Sequence, residues 1–224
     1  MKSKKCAVLF SGGKDSCLAL HKAKLAGYEV RYLLSIIPEN FDSFMFHKPY
    51  LELLERQAEE LDVDLIVEGS KGEEEKEVND LRELILKIKD DVDGIVVGGI
   101  ASDYQGSRIK KICDEFKLEF IAPLLSYKSE DVWKELLDEG FEVILTKIAS
   151  EGLGKEWIGK IITNENFKEL EKLGEKYKFR IDFEGGEAES AVLFMPEFKN
   201  KIKIDFDVKE EGRYRSFVDN LKVL

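Results

Sequence analysis

The sequence predicts an α/β fold, in which a parallel five-stranded sheet flanked by helices is followed by a smaller α+β domain. Two patterns indicate the sheet, because its five candidate strands are apolar along their length and helical segments join each strand to the next. A third pattern marks the smaller domain, since this alternation stops near Pro123 and the tail from Ala191 alternates apolar and polar residues. We therefore expect one domain over residues 1–123 and a second over residues 124–224.

The first domain is expected to alternate strand and helix from its start. The predicted strands cover residues 6–10, 29–37, 64–67, 94–97 and 118–121. The predicted helices cover residues 15–26, 47–61, 73–89 and 102–116. Gly27 is expected to end the first helix and Pro38 the second strand, and a loop is expected over residues 69–72.

The second domain has a less regular pattern. Ser129 is a predicted N-cap for a helix over residues 130–139, and a strand over residues 141–147 follows. Two further helices are predicted over residues 155–161 and 164–177. A turn at Gly185 and Gly186 then precedes the alternating strands, which include residues 201–208.

The charge balance restricts the class of partner. The 224 residues include 35 Lys+Arg and 46 Asp+Glu, which gives a net charge of −11. Phosphate backbones attract clustered positive charge, so this balance argues against a broad nucleic-acid surface, although it leaves room for a local basic patch. Charged residues make up 36% of the chain and are rich in Lys and Glu, a composition that resembles proteins of hot-growing organisms.

The cysteines and the apolar runs indicate the cellular compartment in which the protein is expected. Cys6, Cys17 and Cys113 are odd in number and widely spaced, which argues against a zinc knuckle, a dithiol redox centre or a disulfide scaffold. The basic start over residues 1–5 precedes an apolar run too short for a signal peptide, and no later run is long enough to span a bilayer. We expect a cytoplasmic protein without a membrane partner.

The segment Ser11-Gly-Gly-Lys-Asp-Ser16, between the first strand and the first helix, predicts a polyphosphate site. Its two glycines allow a tight turn that brings backbone amides close to an anion. The helix that follows adds unpaired N–H groups and the positive end of its dipole. Ser11 and Ser16 add hydroxyl donors, and Lys14 adds a full charge. The alternative is an ordinary glycine turn in which serine and aspartate cap the helix.

The spacing of this segment excludes two common nucleotide motifs and matches a third. A Walker A loop needs the pattern G-x-x-x-x-G-K-S/T, but here Lys14 is followed by Asp15. A dinucleotide fingerprint needs a third glycine at a fixed spacing, and the sequence has none there. Residues 11–16 do match the SGGxDS signature of the PP-loop ATP pyrophosphatases. This resemblance implies a HUP-type, Rossmann-like nucleotide-binding domain whose loop holds the β- and γ-phosphates of ATP, so that AMP and pyrophosphate are the products. It also implies Mg²⁺, for which Asp15 is the nearest ligand.

Four further segments narrow the resemblance to one family. They are Ser43-Phe-Met-Phe-His47, Gly98-Gly-Ile-Ala-Ser-Asp-Tyr-Gln105, Glu151-Gly-Leu-Gly-Lys-Glu-Trp-Ile-Gly159 and Phe183-Glu-Gly-Gly-Glu-Ala-Glu-Ser190. Together they resemble the diphthine–ammonia ligase family, from Cys6 to about Ser190. The chain departs from the family pattern at Ala188, where an aromatic residue is usual, and at Ser190, where threonine is usual.

The resemblance implies roles for residues of the phosphate loop, for Ser35 and for residues of three of these segments. Lys14, Asp15 and Asp103 are the candidate catalytic residues, and Asp15 is also the candidate metal ligand. The residues expected to bind ATP are Ser11, Gly12, Gly13, Lys14, Asp15, Ser16, Ser35, His47, Gly98 and Gly99. Those expected to bind the second substrate are Ser102, Asp103, Tyr104, Gln105, Gly185, Gly186, Glu187 and Glu189.

Each of these assignments has a structural alternative. His47 can belong to the start of a helix without touching a ligand, and Ser102 and Asp103 can simply cap the helix that reaches Phe116. Gly185 and Gly186 can form an ordinary turn. We favour a site role for residues 102–105, because an ordinary loop between a strand and a helix would not need the two glycines that precede them. Cys17 is expected to be a packing residue.

The reaction implied by the resemblance is the last step of diphthamide synthesis on elongation factor 2. ATP would activate the carboxylate of diphthine as an acyl-adenylate, and ammonium would supply the nitrogen, because no N-terminal cysteine is available to hydrolyse glutamine. Glu187 and Glu189 would receive the trimethylammonium group of diphthine. The first alternative is a PP-loop enzyme that modifies tRNA by thiolation, and the second is a non-catalytic nucleotide sensor. The apolar tail makes a homodimer an additional hypothesis.

Overall fold

A computed structural model describes residues 3–38, 50–70, 74–99 and 103–224 of the chain. The chain divides into two compact units. The first comprises Met1–Ser11 and Asp15–Leu125, and the second comprises Gly12–Lys14 and Ser126–Leu224. None of the described helices combines the length and the apolar character needed to cross a bilayer.

The first unit contains the parallel five-stranded sheet that the sequence predicts. Its strands are β1 (Lys5–Leu9), β2 (Glu29–Pro38), β3 (Asp64–Ser70), β4 (Gly94–Val96) and β5 (Glu119–Ile121). Their spatial order is β3-β2-β1-β4-β5, and every pair of neighbours is parallel. The chain therefore winds outward from β1 in one direction, then returns to the other side of β1 with β4. A reversal of strand order of this kind creates a crevice at the carboxyl ends of the two central strands.

Four helices connect these strands. They are α1 (Lys14–Leu25), α2 (Leu51–Leu61), α3 (Glu74–Leu86) and α4 (Asp103–Phe116). Leu84 and Ile85 of α3 and Ile112 of α4 form one buried cluster with Ala7 and Ile95 of the sheet. Because side chains alternate along a strand, Cys6 and Val8 face the opposite side of the sheet, where they are also fully buried. The covered sheet explains why its strands are apolar throughout.

Among the described residues of the first unit, two predicted boundaries differ from the structure by more than one residue. Strand β3 continues to Ser70 and so includes the first two residues of the predicted loop, because its backbone pairs with β2 as far as Pro38. Helix α3 ends at Leu86 instead of residue 89. The amide of Ile88 donates to the carbonyl of Ile85 at 3.1 Å, which is the tighter hydrogen-bonding pattern of a 3₁₀ turn.

The second unit is an antiparallel sheet with two α-helices. The helices are α5 (Ser129–Asp138) and α6 (Asn164–Tyr177), and the strands are β6 (Glu142–Ala149), β7 (Ala188–Phe194), β8 (Ile204–Glu211) and β9 (Arg215–Val223). The strand order is β7-β6-β9-β8. Trp133 of α5 is fully buried, with its ring centroid 5.5 Å from that of Phe167 and 6.0 Å from that of Phe183. The predicted smaller α+β domain is confirmed.

The second unit also corrects three local predictions. The tail strand predicted from residue 201 begins at Ile204 and continues to Glu211. Ser129 is the first helical residue of α5 and not its N-cap; Lys128 precedes the helix, and the Asp131 carboxylate accepts a hydrogen bond from the Lys128 amide at 3.1 Å. The helix predicted over residues 155–161 is a single 3₁₀ turn, Lys155–Trp157. Ile158 and Ile161 form backbone bridges to β6, so this segment cannot continue as a helix.

Candidate functional site

The predicted phosphate loop lies at the reversal of strand order. Residues 11–16 run from the carboxyl end of β1 into the start of α1, which begins at Lys14. Gly12 has a φ angle of +72°, a backbone conformation that side-chain-bearing residues rarely adopt. The first amides of α1 have no acceptor within the helix, and this turn lies where the crevice of the sheet is expected.

Two serines join the ends of the loop. The Ser11 amide donates to Ser16 Oγ at 3.3 Å, and the two hydroxyl oxygens are 3.2 Å apart. Ser16 is 5% exposed and Lys14 is 2% exposed. Loop atoms therefore hydrogen-bond to each other, and the curl of the backbone is fixed by its own side chains. A preformed curl of this kind suits a compact anion such as a polyphosphate.

Gly98, which follows β4, lies against the start of α1. A Cβ atom at this position would be 2.7 Å from the Ser16 nitrogen and 2.8 Å from the carbonyl carbon of Asp15. Both contacts are with backbone, which cannot move aside as a flexible side chain does. The structure thus brings Gly98 together with two residues of the phosphate loop, and it leaves Gly99 exposed beside them.

Ser35 reaches the same edge of the sheet along β2. The Phe10 amide donates to the carbonyl of Leu34 at 2.8 Å, which holds the exit of β1 beside β2. Ser35, the next residue, is 3% exposed. This polar side chain is therefore buried close to the residues that enter the phosphate loop.

The other predicted residues of the first unit are placed by the backbone alone or not at all. His47 and Ser102 lie outside the described residues. Asp103, Tyr104 and Gln105 are the first three residues of α4. This helix follows β4, so its start lies at the carboxyl edge of the sheet, as the phosphate loop does.

Within the second unit, the Glu187 carboxylate holds the turn that contains Gly185 and Gly186. It accepts a hydrogen bond from the Gly185 amide at 2.9 Å and another from the Arg180 amide at 3.2 Å. A Cβ atom at Gly185 would lie 2.5 Å from Glu187 Oε1, and Gly186 has a φ angle of +85°. The φ angle favours glycine at position 186, whereas a side chain at position 185 would push the Glu187 carboxylate away from the turn. Each carboxylate oxygen keeps further lone-pair capacity for a ligand.

The Glu189 carboxylate is paired with a lysine. Glu189 of β7 lies opposite Lys147 of β6, and the Lys147 Nζ to Glu189 Oε1 distance is 2.6 Å. Their side chains are 19% and 24% exposed. A cationic ligand at Glu189 would share this carboxylate with the ammonium group of Lys147.

Strand β7 also contacts the middle of the phosphate loop. Residues Gly12–Lys14 of this loop belong to the second unit. The Val192 amide donates to the Gly12 carbonyl at 3.0 Å, and the Lys14 amide donates to Ser190 Oγ at 3.2 Å. Sequence reasoning missed this relationship. The one signal was the position of Ser190 at the end of a glycine-and-glutamate segment, and that signal does not indicate a partner 176 positions away.

The three cysteines all lie among the described residues, where they form no disulfide and are fully buried. Burial raises the pKa of Cys6 to about 12. Burial and the nearby charge of Asp114 raise the pKa of Cys113 to about 11. Because the thiolate is the reactive form, buried thiols of this kind are poor nucleophiles at neutral pH.

The phosphate loop offers the carboxylate of Asp15 to a magnesium ion. Among the described residues, no group of three or more His, Cys, Asp or Glu side chains has the arrangement of a metal site. Asp15 contributes one carboxylate in the first turn of α1. Mg²⁺ is commonly held by one or two carboxylates together with substrate phosphates, so Asp15 fits a metal that enters with a nucleotide.

The fold and the loop together define a class of protein: a doubly wound α/β protein with a glycine turn at its strand-order reversal. Comparison with known families gives the membership within that class. The N-terminal domain of diphthamide synthase matches residues 4–120, and the C-terminal domain of diphthamide synthase matches residues 128–222. The chain belongs to the diphthamide synthase family, which confirms the resemblance inferred from its motifs.

Individual relatives agree with the family match. A diphthine–ammonia ligase of Bos taurus is 32% identical over 220 residues, covering 89% of this chain and 82% of its own. A diphthine–ammonia ligase of Danio rerio is 33% identical over 217 residues, covering 88% and 85%. Among solved structures, a predicted subunit of tRNA methyltransferase from Methanocaldococcus jannaschii is 19% identical, with a TM-score of 0.45 over 89% of this chain and 100% of its own. A likeness of that size supports no conclusion about function.

Proposed function

We propose that this chain is an ATP-dependent diphthine–ammonia ligase. It amidates diphthine on elongation factor 2 with ammonium and forms diphthamide, AMP and pyrophosphate. One observation carries the proposal: the two domains of diphthamide synthase together match nearly the whole chain. The glycine turn at the reversal of strand order supports it, because an ATP-dependent reaction needs an anion-binding loop of this kind.

In this proposal the loop binds the β- and γ-phosphates of ATP. The donors are loop amides other than that of Lys14, the Lys14 ammonium, and the hydroxyls of Ser11 and Ser16. Asp15 holds Mg²⁺, which neutralises charge on the phosphates when it is bound. Ser35, His47, Gly98 and Gly99 contact the rest of the nucleotide. Because the far end of the triphosphate is held, the α-phosphorus is left open to attack.

The reaction then proceeds in two displacements. A carboxylate oxygen of diphthine attacks the α-phosphorus, and the bond to pyrophosphate breaks, which gives an acyl-adenylate. Ammonia attacks the acyl carbon, and the bond to AMP breaks, which gives the amide. Ammonium carries four protons and the amide keeps two of them. One proton is lost when ammonium becomes ammonia, and the other is lost from the nitrogen as AMP leaves, so two protons pass to solvent or to the phosphate products. Asp103 is the candidate base for this proton transfer.

The remaining residues are assigned to the modified histidine. Ser102, Tyr104 and Gln105 lie near the start of α4 in the chain, and Gly185, Gly186, Glu187 and Glu189 belong to the second unit. Glu187 and Glu189 offer negative charge to the trimethylammonium group, as carboxylates commonly do for quaternary cations. We assign ATP binding to the domain over residues 1–123, whose residues 102–105 also contact the substrate, and we assign the remaining substrate contacts to the domain over residues 124–224.

The burial of the three thiols favours the ligase over tRNA thiolation. A thiolation enzyme that carries a persulfide needs an accessible cysteine with a low pKa. The three thiols of this chain are buried, and the pKa values of Cys6 and Cys113 are raised. A non-catalytic sensor would bind ATP without turnover, which the experiment below distinguishes. We further propose that the enzyme acts in the cytoplasm of a hot-growing organism, in contact with elongation factor 2, and that it forms a homodimer.

The test is AMP formation with ATP, Mg²⁺, ammonium and elongation factor 2 that carries diphthine. Lys14→Ala and Asp15→Asn should each abolish ammonium-dependent AMP release while the circular dichroism spectrum stays native. Lys24→Ala, at the other end of α1, is the matched control and should keep full activity. Full activity in the Lys14 and Asp15 variants would contradict the proposed roles. ATP binding without AMP release by the unmodified chain would favour the sensor.

A further inference from the structure

We propose that Ser190 is a positioning residue for the phosphate loop. We also propose that strand β7 connects this loop to the glycine turn that the Glu187 carboxylate holds. The inference rests on the proposed function, because it assigns to Ser190 an effect on ATP binding. It adds a residue that the motif reasoning treated only as a departure from the family pattern. Its basis is the pair of hydrogen bonds between β7 and residues 12–14.

The two hydrogen bonds hold the phosphate loop at its two glycines, where its backbone is most flexible. Gly12 and Gly13 have no side chains to restrict them, and the Gly12 carbonyl accepts from the Val192 amide at 3.0 Å. Two positions further along, the Lys14 amide donates to Ser190 Oγ at 3.2 Å. The flexible glycines are therefore held between two fixed points on one strand, which lowers the conformational entropy that a nucleotide must remove on binding.

The chemistry of the hydroxyl explains why this position suits a serine. Lys14 is the first residue of α1, so its amide has no acceptor within the helix. A hydroxyl that accepts this hydrogen bond still has its own proton to donate. Ser190 thus satisfies the Lys14 amide and can respond to an anion beside it, which an alanine cannot do.

Strand β7 carries the substrate residues next to this contact. Glu187 precedes the strand, its carboxylate holding the glycine turn, and Glu189 is paired with Lys147 one position before Ser190. A ligand that displaces Lys147 from Glu189 would act on a strand whose next residue holds Lys14. We infer that occupancy at Glu189 and the shape of the nucleotide loop are linked through this short stretch of backbone.

The test measures ATP binding to the full chain by calorimetry, together with KM and kcat for ATP. Ser190→Ala should raise the Kd and KM for ATP about threefold to tenfold, the range expected for one lost hydrogen bond, with kcat changed less than about twofold. Ser190→Thr keeps the hydroxyl and should restore the unmodified values. Ser216→Ala is the matched control, since Ser216 is a buried serine of the same sheet on β9 and should leave ATP binding unchanged.

Amide hydrogen exchange of the unmodified chain gives a second readout that does not depend on a variant. The Lys14 amide should exchange slowly without nucleotide, because it is hydrogen-bonded to Ser190. Fast exchange of that amide, or unchanged ATP affinity in Ser190→Ala, would overturn the inference and leave the proposed function standing. Failure of the unmodified chain to bind ATP would instead overturn the proposed function, and this inference with it.

Discussion

Gly98 and Ser16 lie so close that a Cβ atom on Gly98 would be 2.7 Å from the Ser16 nitrogen. The two residues are distant in the sequence, and each follows one of the two central strands of the sheet. The absence of a side chain at Gly98 therefore lets the start of α1 approach β4. This contact sets the position of the amides that we assign to phosphate binding.

Gly98→Ala should disturb the nucleotide loop directly. The added methyl group meets the backbone of Asp15 and Ser16, and overpacking of this kind costs about 1–3 kcal/mol. We expect the Kd for ATP to rise about tenfold or more, measured by calorimetry. Gly69→Ala is the control, because a Cβ there meets nothing within 4 Å. Equal ATP affinity in both variants would show that the contact has no part in the site.

The three thiols should be unreactive in the native chain. Cys6, Cys17 and Cys113 are buried, and burial raises the pKa of Cys6 to about 12. A chromogenic disulfide reagent at neutral pH should modify none of them until a denaturant unfolds the chain, when all three should react. Rapid modification of one thiol in the folded chain would reopen the thiolation alternative.

Asp182 should contribute stability that is lost in acid. Burial opposes ionisation of its carboxyl, but hydrogen bonds from Arg180, Ser129 and the Glu184 amide outweigh burial and lower its pKa. A lowered folded-state pKa stabilises the fold above the unfolded value of about 4, and this stability disappears as the pH falls through the lowered value.

Asp182→Asn should therefore cost about 1–3 kcal/mol of unfolding free energy at pH 7. It should also reduce the loss of stability between about pH 5 and pH 2, because the group that titrates has been removed. Urea unfolding at a series of pH values measures both effects. Asp90→Asn, at a side chain that is 88% exposed, serves as the control. The same pH dependence in Asp182→Asn and in the unmodified chain would contradict this account.

Two substitutions at Glu187 separate its structural role from its charge. Glu187→Gln keeps one oxygen that can accept from a backbone amide, whereas Glu187→Ala removes both acceptors of the turn. We expect the alanine variant to lose about 1–2 kcal/mol of stability and the glutamine variant less. If Glu187 also binds the trimethylammonium group, the glutamine variant should still raise the KM for diphthine-bearing elongation factor 2. An unchanged KM in that variant would limit Glu187 to its structural role.

The sheet and the glycine turn at residues 11–16 could be predicted because their signals are local. Apolar strands such as β1 and the paired glycines at Gly12 and Gly13 are visible within a few neighbouring residues. The antiparallel tail was equally visible, from its alternation of apolar and polar residues. Local patterns of this kind depend on the period of the strand and on backbone sterics, which the sequence alone determines.

The missed features depend on contacts between distant residues. The bridges from Ile158 and Ile161 to β6 replace a helix that the local pattern favoured, and the extension of β3 to Ser70 requires its pairing with β2. The contact between Ser190 and Lys14 is of the same type. The two residues are 176 positions apart, so no local sequence pattern indicates that they are in contact.

The identity of the nucleotide product tests the central claim most directly. The unmodified chain should be incubated with Mg²⁺, ammonium, diphthine-bearing elongation factor 2, and ATP labelled at its α-phosphate in one sample and its γ-phosphate in another. We predict that the α-label appears in AMP and the γ-label in pyrophosphate, in amounts equal to the diphthamide formed. Release of ADP and inorganic phosphate would contradict the claim that this loop exposes the α-phosphorus.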